Sequence, residues 1–214
     1  MADRSDVARS GDGSDGGDGA DTIGGVILAA GKGTRFEGGN KLLADVEGTP
    51  IVRRAAETLC QSRVDDIVAV VGHEADRVAA ALDDLDLSVR YNENYAAGQS
   101  ASVRIGADAA RDAGWDAVIF MLGDMPFVRP PTVDTLYTAY ATDDGSIVVP
   151  TYEGRRGNPV LFGRQHYDTL LTVSGDRGGR DLIENHENAV VVDVDDPGVS
   201  RDIDSQTDLE RFTD

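Results

Sequence analysis

A glycine-rich turn directly after a short apolar run constrains this chain more than any other feature. Residues 25–41 have the sequence GVILAAGKGTRFEGGNK, in which the apolar run predicts a buried β-strand and the glycines predict a tight turn. Successive backbone N–H groups in such a turn can point together at an anion. Three cations stand in the same segment, at Lys32, Arg35 and Lys41. The segment therefore predicts a polyphosphate-binding site at the end of the first strand.

Two common phosphate-binding motifs do not fit this segment. A P-loop requires glycine five residues before Gly31, where the chain has Val26, and Ser or Thr after Lys32, where it has Gly33. A dinucleotide-binding fingerprint that starts at Gly31 requires a third glycine where the chain has Phe36. The anion site is therefore of another type.

The charge of the chain limits its partners. The 214 residues, enough for one α/β domain, include 39 Asp and Glu against 20 Lys and Arg, and the net charge is −19 at pH 7. We therefore expect neither a nucleic-acid partner nor binding to anionic membranes. The abundance of Asp and Ala and the scarcity of Lys are typical of halophilic cytosolic proteins, in which salt screens self-repulsion. The alternative is an acidic protein that functions at ordinary ionic strength.

Cysteine usage and hydropathy predict a soluble cytoplasmic protein. Cys60 is the single cysteine, so no intrachain disulfide can form and a reducing compartment is the simplest choice. We expect Cys60 in the core, on the apolar face of a helix. The sequence also shows no apolar signal-peptide region and no run of about 18 apolar residues, the length that a membrane span needs.

The pattern along the chain divides it into a tail and one domain. Residues 1–22 are mostly Asp, Gly, Ser and Ala, which predicts a disordered tail, and residues 23–214 form the domain. Strands are predicted at 26–30, 67–71, 88–91, 118–122, 147–149, 160–162 and 190–194, and helices at 50–59, 76–82, 100–113, 132–140 and 206–212. Ser205 and Asp208 resemble a capping box for the last helix. This alternation predicts an α/β, three-layer Rossmann-like fold with a mostly parallel sheet.

A carboxylate follows the apolar strand at 118–122, in the segment Gly123-Asp124-Met125-Pro126. Ligands of such folds bind at the carboxyl ends of the strands, so Asp124 is placed to hold Mg²⁺, which prefers oxygen ligands and bridges phosphates. Asp202 and Asp204 share one face if their segment is extended. The competing interpretation makes these carboxylates capping and turn residues only.

The glycine segment resembles the signature loop of the MobA-like nucleotidyltransferases. In this chain the loop is Leu28, Ala29, Ala30, Gly31, Lys32, Gly33, Thr34 and Arg35, followed by Lys41. Later segments follow in the order of that superfamily and are most similar to the molybdenum cofactor cytidylyltransferases of the MocA type. They are residues 98–103, 123–126, 157–162, 175–180 and 202–205.

The resemblance implies a nucleotidyltransferase fold and an activity. The expected reaction transfers CMP from CTP to the molybdopterin form of the molybdenum cofactor and releases pyrophosphate, with Mg²⁺ as cofactor and a recipient molybdoenzyme as a further partner. Transfer to another phosphorylated acceptor such as a sugar phosphate, use of GTP, and a non-catalytic carrier of the molybdenum cofactor are the alternatives.

The resemblance also implies roles for individual residues. Catalytic charges would come from Arg35, Lys41 and Asp124, and metal ligands from Asp124, Asp202 and Asp204. Nucleotide contacts would come from residues 28–33, namely Leu28, Ala29, Ala30, Gly31, Lys32 and Gly33, and from Ser100 and Ser102. Acceptor contacts would come from Asn158, Asp176, Arg177 and Arg180. Ser100 as a helix N-cap, and residues 176–180 as a polar surface turn, are the competing interpretations.

Overall fold

The computed structural model describes residues 21–33, 36, 39–142, 145–175, 178–186 and 189–213. The strands are β1 (Ile23–Ala29), β2 (Asp45–Val46), β3 (Thr49–Pro50), β4 (Ile67–Val71), β5 (Ser88–Tyr91), β6 (Ala117–Leu122), β7 (Ile147–Tyr152), β8 (Arg155–Arg156), β9 (Val160–Gly163) and β10 (Ala189–Asp193). The helices are α1 (Ile51–Cys60), α2 (Ala75–Ala80), α3 (Gln99–Ala113), α4 (Pro130–Thr142), α5 (Tyr167–Leu170), α6 (Arg180–Asn185) and α7 (Gln206–Thr213).

The central sheet has the strand order β10-β7-β9-β6-β1-β4-β5, and β8 pairs with β7 outside this path. The pairs β1–β4, β1–β6, β4–β5 and β7–β10 are parallel, whereas β9 is antiparallel to both of its neighbours. The carboxyl ends of β1 and β6 therefore meet at one edge, and the reversed β9 starts at that same edge. The mostly parallel α/β fold predicted from the sequence is confirmed.

Helices cover both faces of the sheet. Val52 of α1 and Leu136 of α4 pack in the core on one face, and Val103 of α3 and Leu170 of α5 pack in the core on the other. The side chains of β1 alternate between these two cores, as expected for a strand buried on both faces. Gly106 lets α3 approach the sheet closely, since a Cβ there would lie 2.7 Å from Val26 and from Phe120.

Several local expectations need correction. Cys60 is exposed at the last position of α1 and does not lie in the core. The helix predicted at 50–59 begins one residue later, at Ile51, because Pro50 pairs in β3 and is the residue that precedes α1. The capping box of α7 is confirmed, because Asp208 Oδ2 accepts from the Ser205 backbone and hydroxyl while the Ser205 hydroxyl accepts from the Asp208 N–H.

Most of the predicted tail, residues 1–20, lies outside the described residues. Asp21 and Thr22 belong to the described part, where the Asp21 carbonyl accepts from the Tyr137 hydroxyl and the Thr22 N–H donates to Asp116 Oδ2. In the described part of the chain, none of the helices has the length and apolar character that crossing a membrane requires.

Candidate active site

The turn after β1 contains a glycine in a conformation that other residues rarely adopt. Gly33 adopts a positive φ of 56°, and a Cβ at this position would lie 2.9 Å from the Lys41 side chain. Glycine here therefore leaves room for the lysine stem to pass the loop. The Ala30 carbonyl accepts from the His73 N–H, which ties this turn to the residues that follow β4. Arg35 and Thr34 lie outside the described residues.

Lys41 joins three distant parts of the chain. It opens a short 3₁₀ turn, Lys41–Leu43, whose cap is Asn40 accepting from the Leu42 N–H. The lysine is only 8% exposed, and its Nζ lies 2.6 Å from Asp124 Oδ2 and 2.7 Å from Asp204 Oδ1. The ammonium thus bridges two carboxylates that stand 83 and 163 residues further along the chain.

Backbone contacts hold the two carboxylates at this edge. The Gly123 N–H donates to the Leu28 carbonyl at the end of β1, which fixes the start of the loop that carries Asp124. The Ile203 N–H donates to the Asp124 carbonyl, so the segment before α7 is bound directly to that loop. Asp204 then points to Lys41, whereas Asp202 is exposed and does not line the cavity beside the lysine.

The electrostatics of this cluster favour a further cation. Burial raises the pKa of the Asp124 carboxyl, the negative charges of Asp202 and Asp204 raise it further, and together these effects outweigh the opposite effect of Lys41. Burial lowers the pKa of Lys41, but the two carboxylates raise it more, so the lysine stays protonated. Asp124 Oδ1 is buried and has no hydrogen-bond partner among the described residues. One oxygen of a buried carboxylate is therefore left for a ligand.

A cavity of about 380 Å³, which we call the loop cavity, lies in front of this cluster. Gly31, Lys32 and Gly33 line it together with Lys41, Asp124 and Asp204. Tyr95, Gln99 and Ser102, which follow β5 or begin α3, also line it, and the Lys32 ammonium lies over the Tyr95 ring. The chain contains two lysines, Lys32 and Lys41, and both line this cavity. Leu28 and Ala30 also line it, whereas Ala29 does not.

The two candidate serines have different surroundings. Ser100 is 1% exposed, does not line the cavity, and donates its hydroxyl to the Gly175 carbonyl at 2.6 Å. It is not the N-cap of α3, because that helix begins at Gln99 with Gly98 as its cap. Ser102 lines the loop cavity, and its Oγ accepts from Asn92 Nδ2 at 2.9 Å. The structure therefore brings Ser102 to the cavity and turns Ser100 away from it.

A second cavity of about 350 Å³, which we call the side cavity, adjoins the loop cavity and shares Leu28, Gln99 and Leu122 with it. Its apolar lining includes Val103, Phe120 and Phe162, and its polar lining includes Asn158, Arg156 and Arg180. Asn158 stands just before β9, whose start reaches this edge of the sheet. Of the four predicted acceptor residues, Asn158 and Arg180 line this cavity, whereas Asp176 and Arg177 lie outside the described residues.

Sequence reasoning did not single out Asn92, Tyr95, Gln99 and Arg156. The first three lie in the loop between β5 and α3 or at its end, which follows the carboxyl end of a parallel strand. Loops in that position line the ligand crevice of doubly wound folds. Their position after a predicted parallel strand is therefore the sequence signal that could have identified these three residues. Arg156 has no such signal, because the short strand β8 is set by its pairing with β7.

Comparisons with known proteins show the family of this chain. The sequence profile of the MobA-like NTP transferase domain matches residues 25–190. The bifunctional protein GlmU of Geobacter sulfurreducens is 32% identical over 146 residues, which cover 67% of this chain. The chain spans only about 30% of the length of that relative. Nicotine blue oxidoreductase of Paenarthrobacter nicotinovorans is 28% identical over 88% of this chain and 95% of its own.

A solved structure extends the similarity over nearly the whole chain. The Rv0371c protein of Mycobacterium tuberculosis H37Rv superposes with a TM-score of 0.77 at 28% identity, covering 91% of this chain and 99% of its own. The same mycobacterial protein is also known as a complex with manganese, and that structure superposes with a TM-score of 0.71.

Proposed function

The chain belongs to the MobA-like NTP transferase family, and we propose that it transfers CMP from CTP to the molybdopterin form of the molybdenum cofactor, releasing pyrophosphate. The observation that carries the proposal is the buried Lys41 between Asp124 and Asp204, at the point where the glycine turn opens into the loop cavity. Cationic and metal-binding groups are thereby concentrated where a triphosphate fits.

The loop cavity supplies groups that align the triphosphate and balance its negative charge. The N–H groups of residues 31–33 and the Lys32 ammonium bind the β and γ phosphates, and Arg35 joins them as the family motif implies. Lys41 stabilises the charge that develops at the α-phosphorus. Because Asp124 and Asp204 hold the Lys41 ammonium in place before the substrate arrives, its orientation needs little rearrangement during the reaction.

The carboxylates fit the metal that such reactions use. The unpartnered Asp124 Oδ1 and the neighbouring Asp204 provide hard oxygen ligands, and Mg²⁺ is commonly held by one or two carboxylates plus substrate phosphates. The described residues contain no cluster of three or more candidate ligands, so phosphate and water oxygens complete the set. Mg²⁺ held by these residues would neutralise phosphate charge as pyrophosphate leaves. The manganese complex of the mycobacterial relative supports a divalent cation here.

The side cavity holds the acceptor. It joins the loop cavity beside Leu28 and Leu122, so an acceptor phosphate bound there can reach the α-phosphorus. One oxygen of that phosphate attacks in line, a new oxygen–phosphorus bond forms, and the bond to the leaving pyrophosphate breaks. Arg156 and Arg180 supply positive charge for an anionic acceptor, and the apolar lining packs against its ring system. The product then passes to a recipient molybdoenzyme.

A pyrophosphate-release assay tests this function. CTP, GTP, ATP and UTP are each combined with molybdenum cofactor or with common sugar phosphates, in the presence and absence of Mg²⁺. Release that requires CTP, Mg²⁺ and the molybdenum cofactor supports the proposal, and release with a sugar phosphate alone assigns a different acceptor. Because one relative is named an oxidoreductase, oxidation of NADH and NADPH is measured in parallel. Pyridine-nucleotide oxidation without pyrophosphate release would contradict nucleotidyl transfer.

A further inference from the structure

A buried asparagine contacts Ser102, which lines the loop cavity. Asn92 follows β5 directly, is 2% exposed, and its backbone N–H donates to the Val71 carbonyl. Its side chain bonds in two directions, because Oδ1 accepts from the Asn94 N–H and Nδ2 donates to Ser102 Oγ, both at 2.9 Å. The amide therefore connects the loop backbone to the serine that lines the cavity.

The direction of these bonds is fixed by chemistry. A backbone N–H can only donate, so the side-chain oxygen of Asn92 must face Asn94 and its NH₂ group must face Ser102. Ser102 Oγ consequently accepts one hydrogen bond and retains its own proton for donation. Among the described residues, Asn92 is the only hydrogen-bond partner of the Ser102 hydroxyl. No carbonyl in that part of the chain therefore accepts a hydrogen bond from it. Ser102 is 3% exposed and lines the loop cavity, where a ligand can accept this proton.

We propose that Asn92 is a specificity-determining residue that holds Ser102 as a hydrogen-bond donor toward the nucleotide base. This inference rests on the proposed function, because it assumes a nucleotide in the loop cavity. Cytosine and uracil both present the O2 acceptor, but N3 of cytosine accepts a hydrogen bond whereas N3 of uracil carries a proton. A serine whose proton is directed into the cavity therefore favours the N3 acceptor of cytosine over the N3–H group of uracil.

Ser100 provides a matched control in the same helix. It stands two residues before Ser102 in α3 and is also buried, but its hydroxyl donates to the Gly175 carbonyl away from the cavity. Removing that hydroxyl changes packing and hydrogen bonding in α3 without changing the polarity of the cavity wall. A general disturbance of the helix can thus be separated from a change in base recognition.

The experiment measures the dissociation constants of CTP and UTP by calorimetry with Mg²⁺ at pH 8, for the full chain and its variants. The wild type is expected to bind CTP about tenfold more tightly than UTP, and Ser102→Ala to bring this ratio near one. Ser100→Ala should keep the wild-type ratio. In Asn92→Asp the carboxylate accepts the Ser102 proton, the serine turns a lone pair to the cavity, and the preference should move to UTP.

The ratio of two dissociation constants does not depend on the folded fraction, so a destabilised variant still gives an answer. If Asn92→Asp fails to fold, Asn92→Ser takes its place, since it removes the fixed NH₂ group and should weaken the preference for CTP. A wild-type ratio in both Asn92→Asp and Ser102→Ala would overturn the inference while leaving nucleotide binding, and so the proposed function, in place. A wild type that binds neither nucleotide would overturn both.

Discussion

The Nζ atom of Lys41 lies 2.6 Å from Oδ2 of Asp124, although 83 residues separate them in the chain. Both side chains are mostly buried, and the other carboxylate oxygen of Asp124 is free of hydrogen bonds from the described residues. A lysine and a metal ion can each bind one oxygen of the same carboxylate and balance its negative charge. The ion pair therefore connects the segment after the glycine turn to the expected metal site.

Replacing Asp124 with Asn should reduce turnover by at least about 10²- to 10³-fold, because a preorganised charge is removed next to the reacting phosphates. Lys41 keeps Asp204 as an ion-pair partner, so the variant should remain folded. Steady-state pyrophosphate release and circular dichroism measure the two effects. Asp84→Asn, which removes an exposed carboxylate paired with Arg53, is the control and should keep wild-type turnover. Near-normal turnover of Asp124→Asn with Mg²⁺ would exclude the assigned role.

Lys41 should compete with divalent metal when no nucleotide is bound. Replacing it with Met removes the ammonium from Asp124 and Asp204 at similar side-chain length, so both carboxylates attract a cation more strongly. We expect Lys41→Met to bind Mn²⁺ about tenfold or more tightly than the wild type at pH 8, as measured by electron paramagnetic resonance. Lys32→Met is the control, because the Lys32 ammonium lies over the Tyr95 ring instead of on these carboxylates. Equal or weaker Mn²⁺ binding by Lys41→Met would contradict the competition.

The sequence predicts the parallel core well but misses the reversed strand. Buried apolar runs such as 67–71 give strands at the expected positions, and the helices between them require parallel crossovers. β9 has the same apolar character as its neighbours, so nothing in its composition shows that it runs antiparallel. Its direction follows from its pairing with β6 and β7, which is a tertiary property.

The candidate site shows the same division between local and long-range information. Lys41, Asp124 and Asp204 each follow from a local pattern, but their ion pairs join segments that the sequence cannot align. The resemblance implies one role for Ser100 and Ser102 because both lie in one short segment. Two residues along an α-helix differ by about 200° in direction, so both hydroxyls could not face one cavity.

The tail prediction can be tested with two truncations. Removing residues 1–20 should leave the melting temperature and turnover unchanged, because this acidic segment has few apolar side chains to pack. Removing residues 1–22 also deletes the bonds from Tyr137 to Asp21 and between Thr22 and Asp116, so it should lower the melting temperature. Differential scanning calorimetry compares the two. A large loss of stability or turnover in the shorter truncation would show that the acidic segment is not a dispensable tail.

Salt should stabilise the fold if the acidic composition is halophilic. With a net charge of −19, repulsion among surface carboxylates extends over about 10 Å at 0.1 M salt but only about 3 Å at 1 M. The midpoint of thermal unfolding should therefore rise as KCl increases across this range. The same series with tetramethylammonium chloride separates screening from specific ion binding. A melting temperature that does not change with KCl would contradict the halophilic interpretation.

Base selection should also depend on Ala30, which lines the loop cavity at the end of the glycine turn. Ala30 is 4% exposed, and its methyl group lies beside Gly72, since a Cβ at Gly72 would lie 2.8 Å from Ala30 Cβ. The methyl thus limits the space available to a purine, and one methyl group is worth about 10- to 200-fold in specificity. The wild type should prefer CTP to GTP, and Ala30→Gly should relax this preference while triphosphate binding persists. The measurement is the ratio of kcat/KM for CTP and GTP in both proteins.

Gly33→Ala is the contrasting variant, because its Cβ would push on Lys41 and should lower both values together. Equal use of CTP and GTP by the wild type would exclude the cytidylyl assignment and leave nucleotidyl transfer itself intact.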